Sequence, residues 1–474
     1  MPVASPAPSS RARYLAALAA LVAAGAALRI AGAGGDLWYD EIWSLDIAAT
    51  GPAAILFGAP QDNNHVLNSL WLWLVGPAAP ERLMRAASIA WGVATIPAAA
   101  AVARAAAGPA AGLAAAALFA VAYPFVLYGS EARGYAGLIL ALVVATGALA
   151  RVGADPHDGR ARWIFAGALA FGAFSHLTMA PAAMVLSGAA LVAVHARWRD
   201  ARRTGRTAAR LASAGFLGLA APLGALAWGA LATRSLRTGY LHPFDLEALG
   251  EGMGRMALAT LGLPDSAPPL AGLALAVLIG AAAVALAPRG WRAFAGAALV
   301  GFPALAVLGR LPNPHIPRFH LAAAVVLTLV LAAAFGRLWT SGRQARAAAL
   351  AVLTALLAGG LWQDTILLER HRGDYRGAVA AMAGAGVVRV GSNLPNEASR
   401  MTRYYAPRAG AFRIAPEAEW RADPPDCYLL IEDRTRPSAA GPAATVASRA
   451  YDRLASFETA PLSGYRWTVY RPAR

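Results

Sequence analysis

Two adjacent carboxylates, Asp40 and Glu41, stand among aromatic residues just after the first long apolar stretch of the chain. A partly buried carboxylate at a membrane interface can have a raised pKa, which suits a general base that takes a proton from a hydroxyl group. The alternative is that the pair caps a short interfacial helix, because Asp favours that position. Acidic side chains at membrane depth are costly and usually functional, so both interpretations stay open.

His65 closes the polar segment Asp62-Asn63-Asn64-His65, which precedes a short apolar stretch. An imidazole at this place can ligate a metal ion or orient a substrate. The alternative is a solvated loop histidine. A metal site needs three or more ligands, and the sequence does not identify the others.

Two arginines stand in polar segments that border apolar stretches. Arg133 belongs to the segment 128–135, which also holds Glu131 between Tyr128 and Tyr135, and Arg318 belongs to the segment 315–320. A guanidinium group is suited to gripping a phosphate through two parallel hydrogen bonds. The alternatives are a Glu131–Arg133 pair facing lipid headgroups and, for Arg318, a side chain that snorkels to the membrane surface.

Two further histidines, His176 and His320, also stand at the ends of apolar stretches. For His176, which follows Ser175, a hydrogen bond between helices is the favoured interpretation. Taken together, these segments supply a base for a hydroxyl group and cations for a departing phosphate. A lipid-phosphate substrate that carries a sugar would need this set of groups.

The composition excludes an ordinary soluble domain. The chain has 474 residues, of which 58% are hydrophobic and 14% are charged, whereas soluble domains carry about 25% charged residues. The net charge of +16 comes from arginines in short loops between apolar runs, which does not resemble a nucleic-acid-binding face. A single cysteine, Cys427, excludes an intrachain disulfide and a cysteine-based metal site.

The apolar runs predict a polytopic α-helical membrane protein with about eleven transmembrane helices, because each run approaches the length that crosses a bilayer. The predicted spans are 14–33, 83–103, 109–127, 134–150, 162–178, 179–195, 210–231, 268–287, 292–309, 319–337 and 345–362. The first run resembles a signal peptide, but the spans that follow favour an uncleaved helix.

Charge placement predicts the orientation. If residues 1–13 form a cytoplasmic tail, the arginine-rich loops fall on the cytoplasmic side and most acidic residues fall outside, as the positive-inside rule requires. All the segments with candidate chemistry then lie on the outer side. The membrane domain is predicted to cover 14–362.

The predicted outer side holds two long loops, 34–82 and 232–267, and a small water-soluble α/β domain at 363–474. Val66–Val75 is too short to span a bilayer and contains Trp71 and Trp73, so we predict a helix that lies at the outer membrane surface. In the C-terminal domain we predict helices at 374–386 and 396–405 and strands at 387–391, 427–432 and 465–470.

The order of the polar segments resembles that of a known fold family. The shared landmarks are Asp40-Glu41 after an aromatic pair, an Asn-His segment before an interfacial helix, Glu81-Arg82-Leu83-Met84-Arg85, Ser130-Glu131-Ala132-Arg133-Gly134-Tyr135, Ser175-His176 and Pro317-Arg318-Phe319. In this order they look like the landmarks of GT-C fold glycosyltransferases. The branch is the family 39-like one, which includes protein O-mannosyltransferases, lipid A aminoarabinose transferases and rhizobial galacturonosyltransferases.

The resemblance implies an enzyme of the bacterial inner membrane that transfers a sugar with inversion. Its donor would be a polyprenyl-phosphate-linked sugar, and its acceptor a hydroxyl group of a glycan, lipid or protein outside the cytoplasm. Membrane lipids are the other expected partners, and nucleic acid is not one. Some members of the family bind a divalent metal ion and others do not, so a divalent metal is an open cofactor.

The resemblance also implies residue roles. Asp40 matches the proposed base, and Glu41 would orient Asp40 or the acceptor. Arg133, Arg318 and Arg82 are similar to residues that hold the donor phosphate. Four more residues would belong to the substrate pocket with Tyr128 and Tyr135: His65, Glu131, His176 and His320. The family often has His-Pro-Pro where this chain has His65-Val66-Leu67, and many relatives have Met where this chain has Gly134.

Two other classes of protein compete with a transferase. A secondary transporter or lipid flippase would show internal repeats and charges at the bilayer midplane, and a scaffold would use the outer domain to bind a partner. Consumption of a polyprenyl-phosphate sugar without an ion gradient would distinguish the transferase from the transporter. Transfer that survives deletion of 363–474 would show that the domain is accessory.

Overall fold

The computed structural model describes residues 10–236, 241–406, 410–432 and 440–473. Residues 1–9 of the predicted cytoplasmic tail and residues 237–240 of the predicted second outer loop lie outside the described residues. The described part of the chain consists of a helical membrane domain followed by a small domain built on one sheet.

The first part of the chain is almost entirely helical. Its helices are α1 (Ser10–Gly32), α2 (Tyr39–Ala48), α3 (Pro52–Phe57), α4 (Val66–Val75), α5 (Glu81–Met84), α6 (Ala86–Val121), α7 (Tyr123–Tyr128), α8 (Tyr135–Ala154), α9 (Gly159–Ser175), α10 (Met179–Trp198), α11 (Ala201–Thr233), α12 (Leu246–Thr260), α13 (Pro269–Leu286), α14 (Arg289–Leu308), a 3₁₀ helix (Pro317–His320), α15 (Leu321–Trp339) and α16 (Arg343–Arg370).

Within the described residues, nine helices are long and apolar enough to cross a membrane. One of them, α6, holds two predicted spans, because Ala107 and Gly108 leave the helical conformation and Gly108 has φ +84°. A glycine adopts that angle without strain, and Pro109 then begins the second half. Helix α9 has 17 residues and matches a further predicted span. The prediction of a multi-pass helical membrane protein is confirmed.

The transmembrane helices pack through small residues, which let helix backbones approach closely. Added side-chain atoms would collide at several of these contacts: a Cβ at Gly25 would lie 2.4 Å from Ile96, and one at Gly336 would lie 2.6 Å from Ala111. The alanine-rich sequence therefore builds a buried core between α1, α6, α8 and α15.

Of two segments outside the predicted spans, one forms a helix that the sequence predicts and the other forms a helix that it does not predict. The predicted short helix is present as α4, with the bounds Val66–Val75. The predicted second outer loop contains a helix that we did not predict, α12, whose N-cap Asp245 accepts a hydrogen bond from the Ala248 amide. This helix is amphipathic rather than uniformly apolar, so a search for bilayer-length apolar runs passes over it.

Within its described residues, the C-terminal part contains two helices and six strands. They are α17 (Tyr375–Gly384), β1 (Arg389–Ser392), α18 (Pro395–Tyr405), β2 (Arg413–Ile414), β3 (Cys427–Glu432), β4 (Ala443–Val446), β5 (Arg449–Phe457) and β6 (Arg466–Pro472), with a 3₁₀ turn at Glu417–Glu419. The sheet order is β2-β1-β3-β6-β5-β4. Strands β2, β1 and β3 run parallel, and the remaining neighbours are antiparallel.

The sheet domain packs directly on the segment that follows α1. Leu37, Trp38 and Met84 share one buried core with Tyr375 and Trp467. Helix α16 runs past residue 362 and ends at Arg370, so the chain enters the sheet domain close to the end of α1. This arrangement places α2 between the membrane helices and the C-terminal domain.

Candidate active site

The first turn of α2 carries the two carboxylates that the sequence singled out. Trp38 is the N-cap, and Asp40 and Glu41 lie in this first turn, where the helix dipole favours negative charge. Asn63 fixes this turn, because its side-chain amide donates to the Asp40 backbone carbonyl at 2.9 Å. The side chains of Asp40 and Glu41 contact different arginines.

Asp40 is paired with two arginines that come from distant parts of the chain. Arg133 Nη1 contacts Asp40 Oδ2 directly, and Arg318 Nη2 lies 3.3 Å from the same oxygen. The side chains of Asp40 and Arg133 are almost buried, whereas that of Arg318 is 22% exposed. The three candidate residues for base and phosphate binding therefore meet in one place.

Glu41 is fully engaged in a structural pair. Arg85 donates to both of its oxygens, at 2.8 and 2.6 Å, and neither side chain is exposed. The Ala132 amide donates to Glu41 at 2.7 Å and the Trp38 amide at 3.2 Å. Burial would raise the pKa of Glu41, but the charge and hydrogen bonds of Arg85 hold it below its usual value. Glu41 thus holds Asp40's helix in place rather than facing a ligand.

Arg85 is a residue of this site that the sequence reasoning missed. Beyond Glu41, it donates to the carbonyls of Ala33, Gly34, Gly35 and Asp36 at 2.8–3.2 Å. It therefore closes the turn between α1 and α2. Arg82, the candidate three positions earlier, is exposed, and none of its described contacts reaches Asp40, Arg133 or Arg318.

His65 orients Arg133. Its Nε2 lies 2.9 Å from Arg133 Nη2 and 3.3 Å from Nε. Burial, followed by the nearby Arg318 charge, lowers the pKa of His65 to about 3, so the neutral ring can accept from the guanidinium. His176 stacks on His65 with ring centres 4.8 Å apart and bonds through Nδ1 to the Thr178 hydroxyl at 2.8 Å.

Aromatic rings pack against Arg133 and Arg318. The Arg133 and Arg318 guanidinium carbons lie 5.6 and 5.7 Å from the Trp38 ring centre. Tyr135 lies under Arg133 at 5.2 Å and contacts Tyr128, with ring centres 5.1 Å apart. The buried Tyr128 hydroxyl and Arg318 Nε have no hydrogen-bond partner among the described residues. The pocket thus retains unused donors next to its cations.

Glu131 is two positions before Arg133, and its side chain contacts residues that follow α16. Its Oε1 accepts from Arg372 Nε at 3.2 Å and from the Ser463 hydroxyl, and both its partners belong to the chain after α16. Burial raises the pKa of Glu131, and the charge of Arg372 opposes that shift. Arg372 is the second arginine that sequence reasoning missed.

Gly134 lies at a tight contact between two helix ends. A Cβ on Gly134 would lie 1.8 Å from the Ser175 carbonyl oxygen, so a side chain here would force α8 and the end of α9 apart. The glycine lets the segment that carries Arg133 lie against Ser175 and His176.

An apolar cavity of about 320 Å³ opens beside Arg318 and His320. Its walls come from α8, α10, α12, α14 and α15, and most of the lining is apolar. His320 Nε2 bonds to the Pro314 carbonyl at 2.9 Å and lies at the polar end of this cavity. A long apolar ligand with an anionic end would find both of its environments here.

The site does not offer a set of metal ligands. Among the described residues, no group of three or more His, Cys, Asp or Glu side chains is arranged to hold a metal ion. The cation between Asp40 and His65 is the Arg133 guanidinium.

Comparison with solved structures identifies the fold. ArnT from Cupriavidus metallidurans bound to undecaprenyl phosphate aligns with a TM-score of 0.51 and 13% identity, over 97% of this chain and 98% of that one. The oligosaccharyltransferase of Archaeoglobus fulgidus in its apo form aligns at 0.49 and 13%, over 84% and 64%. The same organism's AglB with an inhibitory peptide and a dolichol-phosphate aligns at 0.46 and 14%, over 97% and 65%.

The chain therefore has the GT-C fold, as ArnT does, and is a multi-pass membrane protein. It spans less than two thirds of the length of the archaeal enzyme. No protein-family model and no curated protein sequence matches it.

Proposed function

We propose that this chain is an inverting glycosyltransferase that moves a sugar from a polyprenyl-phosphate-linked donor to an acceptor hydroxyl group on the outer face of the bacterial inner membrane. The observation that carries the proposal is the convergence of Asp40, Arg133 and Arg318 on one another beside an apolar cavity. A carboxylate base and two phosphate-binding cations are what this transfer requires.

The charge balance of the site favours an anionic ligand. Three carboxylates (Asp40, Glu41 and Glu131) are paired with four arginines (Arg85, Arg133, Arg318 and Arg372). With all of them ionised, these seven side chains carry one positive charge in excess. A buried charge is costly unless it is paired, so the site is stabilised when a phosphate brings the missing negative charge.

The cavity beside Arg318 suits the lipid part of the donor. Its apolar walls between α8, α12 and α14 would take the isoprenoid tail, while the phosphate would lie against Arg318 and Arg133. Under the charge-derived topology this end of the helices lies on the outer side. The sugar would then face α2 and Asp40.

The chemistry is a single displacement. Asp40 takes the proton of the acceptor hydroxyl, and the acceptor oxygen bonds to the anomeric carbon of the sugar. The bond from that carbon to the phosphate oxygen breaks, and its electron pair leaves with the polyprenyl phosphate. Arg133 and Arg318 stabilise the charge that develops on this oxygen.

One displacement inverts the anomeric configuration. Retention through two displacements would need a second carboxylate as nucleophile. Glu41 is the adjacent carboxylate, but its oxygens are occupied by Arg85 and two backbone amides. The arrangement therefore favours inversion.

Donor binding would also release the base. In the present arrangement both arginines contact Asp40 Oδ2, so they occupy the oxygen that would accept the proton. A phosphate competes for the same guanidinium groups through charge-assisted hydrogen bonds. Once they turn to the donor, Asp40 is free to accept the proton of the second substrate.

A transfer assay tests the proposal. The purified chain, in detergent and without an ion gradient, is incubated with a polyprenyl-phosphate-sugar extract and cell-envelope acceptors, and release of polyprenyl phosphate is followed by mass spectrometry. We expect release that depends on acceptor and on Asp40. Failure to consume any donor, together with donor transport in gradient-loaded vesicles, would favour the transporter instead.

A further inference from the structure

The segment between α16 and α17 reaches back into the membrane domain through Arg372. This side chain is fully buried, although it lies in the polar part of the sequence. Its Nη1 donates to the Gly32 carbonyl at 2.9 Å, and its Nη2 donates at 2.9 Å to the Leu127 carbonyl and to the Ser130 hydroxyl. One arginine thus joins the ends of α1 and α7 to the beginning of the segment that carries Arg133.

The fourth contact of Arg372 is an ion pair with Glu131, two positions before Arg133. The hydroxyl of Ser463, in the turn between β5 and β6, donates to the same Glu131 oxygen. That turn fits closely: Gly464 has φ +79°, and a Cβ there would lie 1.9 Å from the Arg372 carbonyl oxygen. The described hydrogen bonds of the Glu131 side chain therefore all come from the C-terminal domain.

The short segment 130–133 leaves little freedom to its last residue. Asn68 donates to the Ala132 carbonyl at 2.6 Å, and Ser88 donates to the Arg133 carbonyl at 2.9 Å. These contacts and the Glu41 bond to the Ala132 amide come from the membrane domain. Ser130 is held from both sides, because its hydroxyl donates to the Val126 and Leu127 carbonyls and accepts from Arg372. The Glu131 side chain is anchored by Arg372 and Ser463.

We infer that Arg372 and Ser463 are positioning residues through which the C-terminal domain fixes Arg133, by holding Glu131 against the outer end of the membrane helices. The inference builds on the proposed function, because it assigns the domain a part in the same reaction. It excludes the alternative in which 363–474 is an accessory binding module that can be removed without effect on transfer.

Two variants and a matched control test the inference without an activity assay. Ser463→Ala removes one hydrogen bond to Glu131, and Arg372→Gln removes the ion pair. Tyr123→Phe is the control: it removes the hydrogen bond that the Tyr123 hydroxyl donates to the Pro461 carbonyl at 2.5 Å, in the same turn as Ser463, and leaves the bonds from Arg372 and Ser463 to Glu131 in place. The readout is hydrogen–deuterium exchange of the peptide that covers 129–134, in the full-length protein in nanodiscs.

We expect amide exchange in 129–134 to become several-fold faster in Ser463→Ala and faster still in Arg372→Gln, and to stay unchanged in Tyr123→Phe. Equal protection in Ser463→Ala and the control would overturn the inference. If Arg372→Gln does not fold, the comparison of Ser463→Ala with the control still decides it. This readout requires no transfer, so loss of the proposed function leaves it interpretable.

A kinetic cycle then asks whether the anchor acts through Arg133. If it does, adding Ser463→Ala to Arg133→Gln should change kcat/KM for the donor by less than twofold, although Ser463→Ala alone lowers it several-fold. Multiplicative losses in the double variant would show that Ser463 acts on some other part of the protein, and would contradict the inference.

Discussion

Arg318 Nη2 lies 3.3 Å from Asp40 Oδ2, although the two residues belong to opposite ends of the membrane domain's sequence. Arg133 contacts the same oxygen from a third segment. Under the proposed function, a phosphate that enters the pocket would compete with Asp40 for these two cations.

Replacing Asp40 by Asn should lower transfer by about 10²- to 10⁴-fold, since an amide cannot act as the general base. Binding of the donor should persist or tighten, because Asn no longer competes for Arg133 and Arg318. Turnover and lipid binding of the purified variant check both parts. Asp46→Asn, on the same helix but half exposed and paired with Arg400, should retain activity; near-normal turnover of Asp40→Asn would remove Asp40 from the role of base.

Loss of the Arg318 charge should mainly weaken donor binding. Arg318→Gln removes a charge-assisted contact and should raise the Kd for undecaprenyl phosphate by about 10- to 100-fold. Microscale thermophoresis with the lipid in mixed micelles measures the change. The exposed Arg234→Gln is the control for the loss of one positive charge. An Arg318→Gln protein that binds the lipid as the control does would contradict the phosphate-binding role.

Glu41→Gln should destabilise the protein rather than alter catalysis selectively. The substitution leaves Arg85 buried without its counter-charge, at a cost of about 3–5 kcal/mol. Thermal unfolding in detergent should show a large fall in Tm. The more exposed pair of Glu251 with Arg255 provides the control, since Glu251→Gln should change stability by about 0–1 kcal/mol. A Glu41→Gln protein with unchanged Tm and no activity would point instead to a direct catalytic role.

The lowered pKa of His65 predicts that the stability of the protein depends on pH. Its pKa is lowered to about 3 in the folded protein, against about 6.5 in an unfolded chain. Below pH 6.5 the unfolded chain binds a proton that the folded protein does not, so stability falls as the pH decreases from 6.5 towards 3. At pH 5 this single group costs about 2 kcal/mol.

The difference in Tm between pH 7.5 and pH 5 measures this effect. It should be smaller in His65→Asn than in the wild type, and the exposed His195→Asn should follow the wild type. Equal pH dependence in His65→Asn and the wild type would show that folding does not lower the pKa of His65.

Much of the fold could be predicted from the sequence because bilayer-length apolar runs are a strong signal. This signal does not reveal the amphipathic helix α12. It also does not reveal β4, which is short, or β5, which is rich in charge, because these strands are defined by pairing with their neighbours in the sheet. Strand β3 was predicted with its observed bounds, because Cys427–Glu432 is an apolar run with β-favouring residues.

The candidate site was predictable in part for a similar reason. Asp40, Arg133 and Arg318 stand at the ends of apolar runs on one predicted side, and these three meet in the structure. The sequence does not show which of Arg82 and Arg85 is buried in the site. The structure decides it, because the chain breaks between α5 and α6 at Arg85 and only that side chain points inward. Arg372 lies in a polar stretch whose return to the membrane domain is set by tertiary packing alone.

The most direct measurement is a cryo-electron-microscopy structure of the full chain in nanodiscs with undecaprenyl phosphate. We expect a phosphate within hydrogen-bonding reach of both Arg133 and Arg318, a tail in the cavity between α8, α12 and α14, and an Asp40 carboxylate released from at least one arginine. A phosphate bound elsewhere, with Asp40 still held by both arginines, would contradict the proposed donor site.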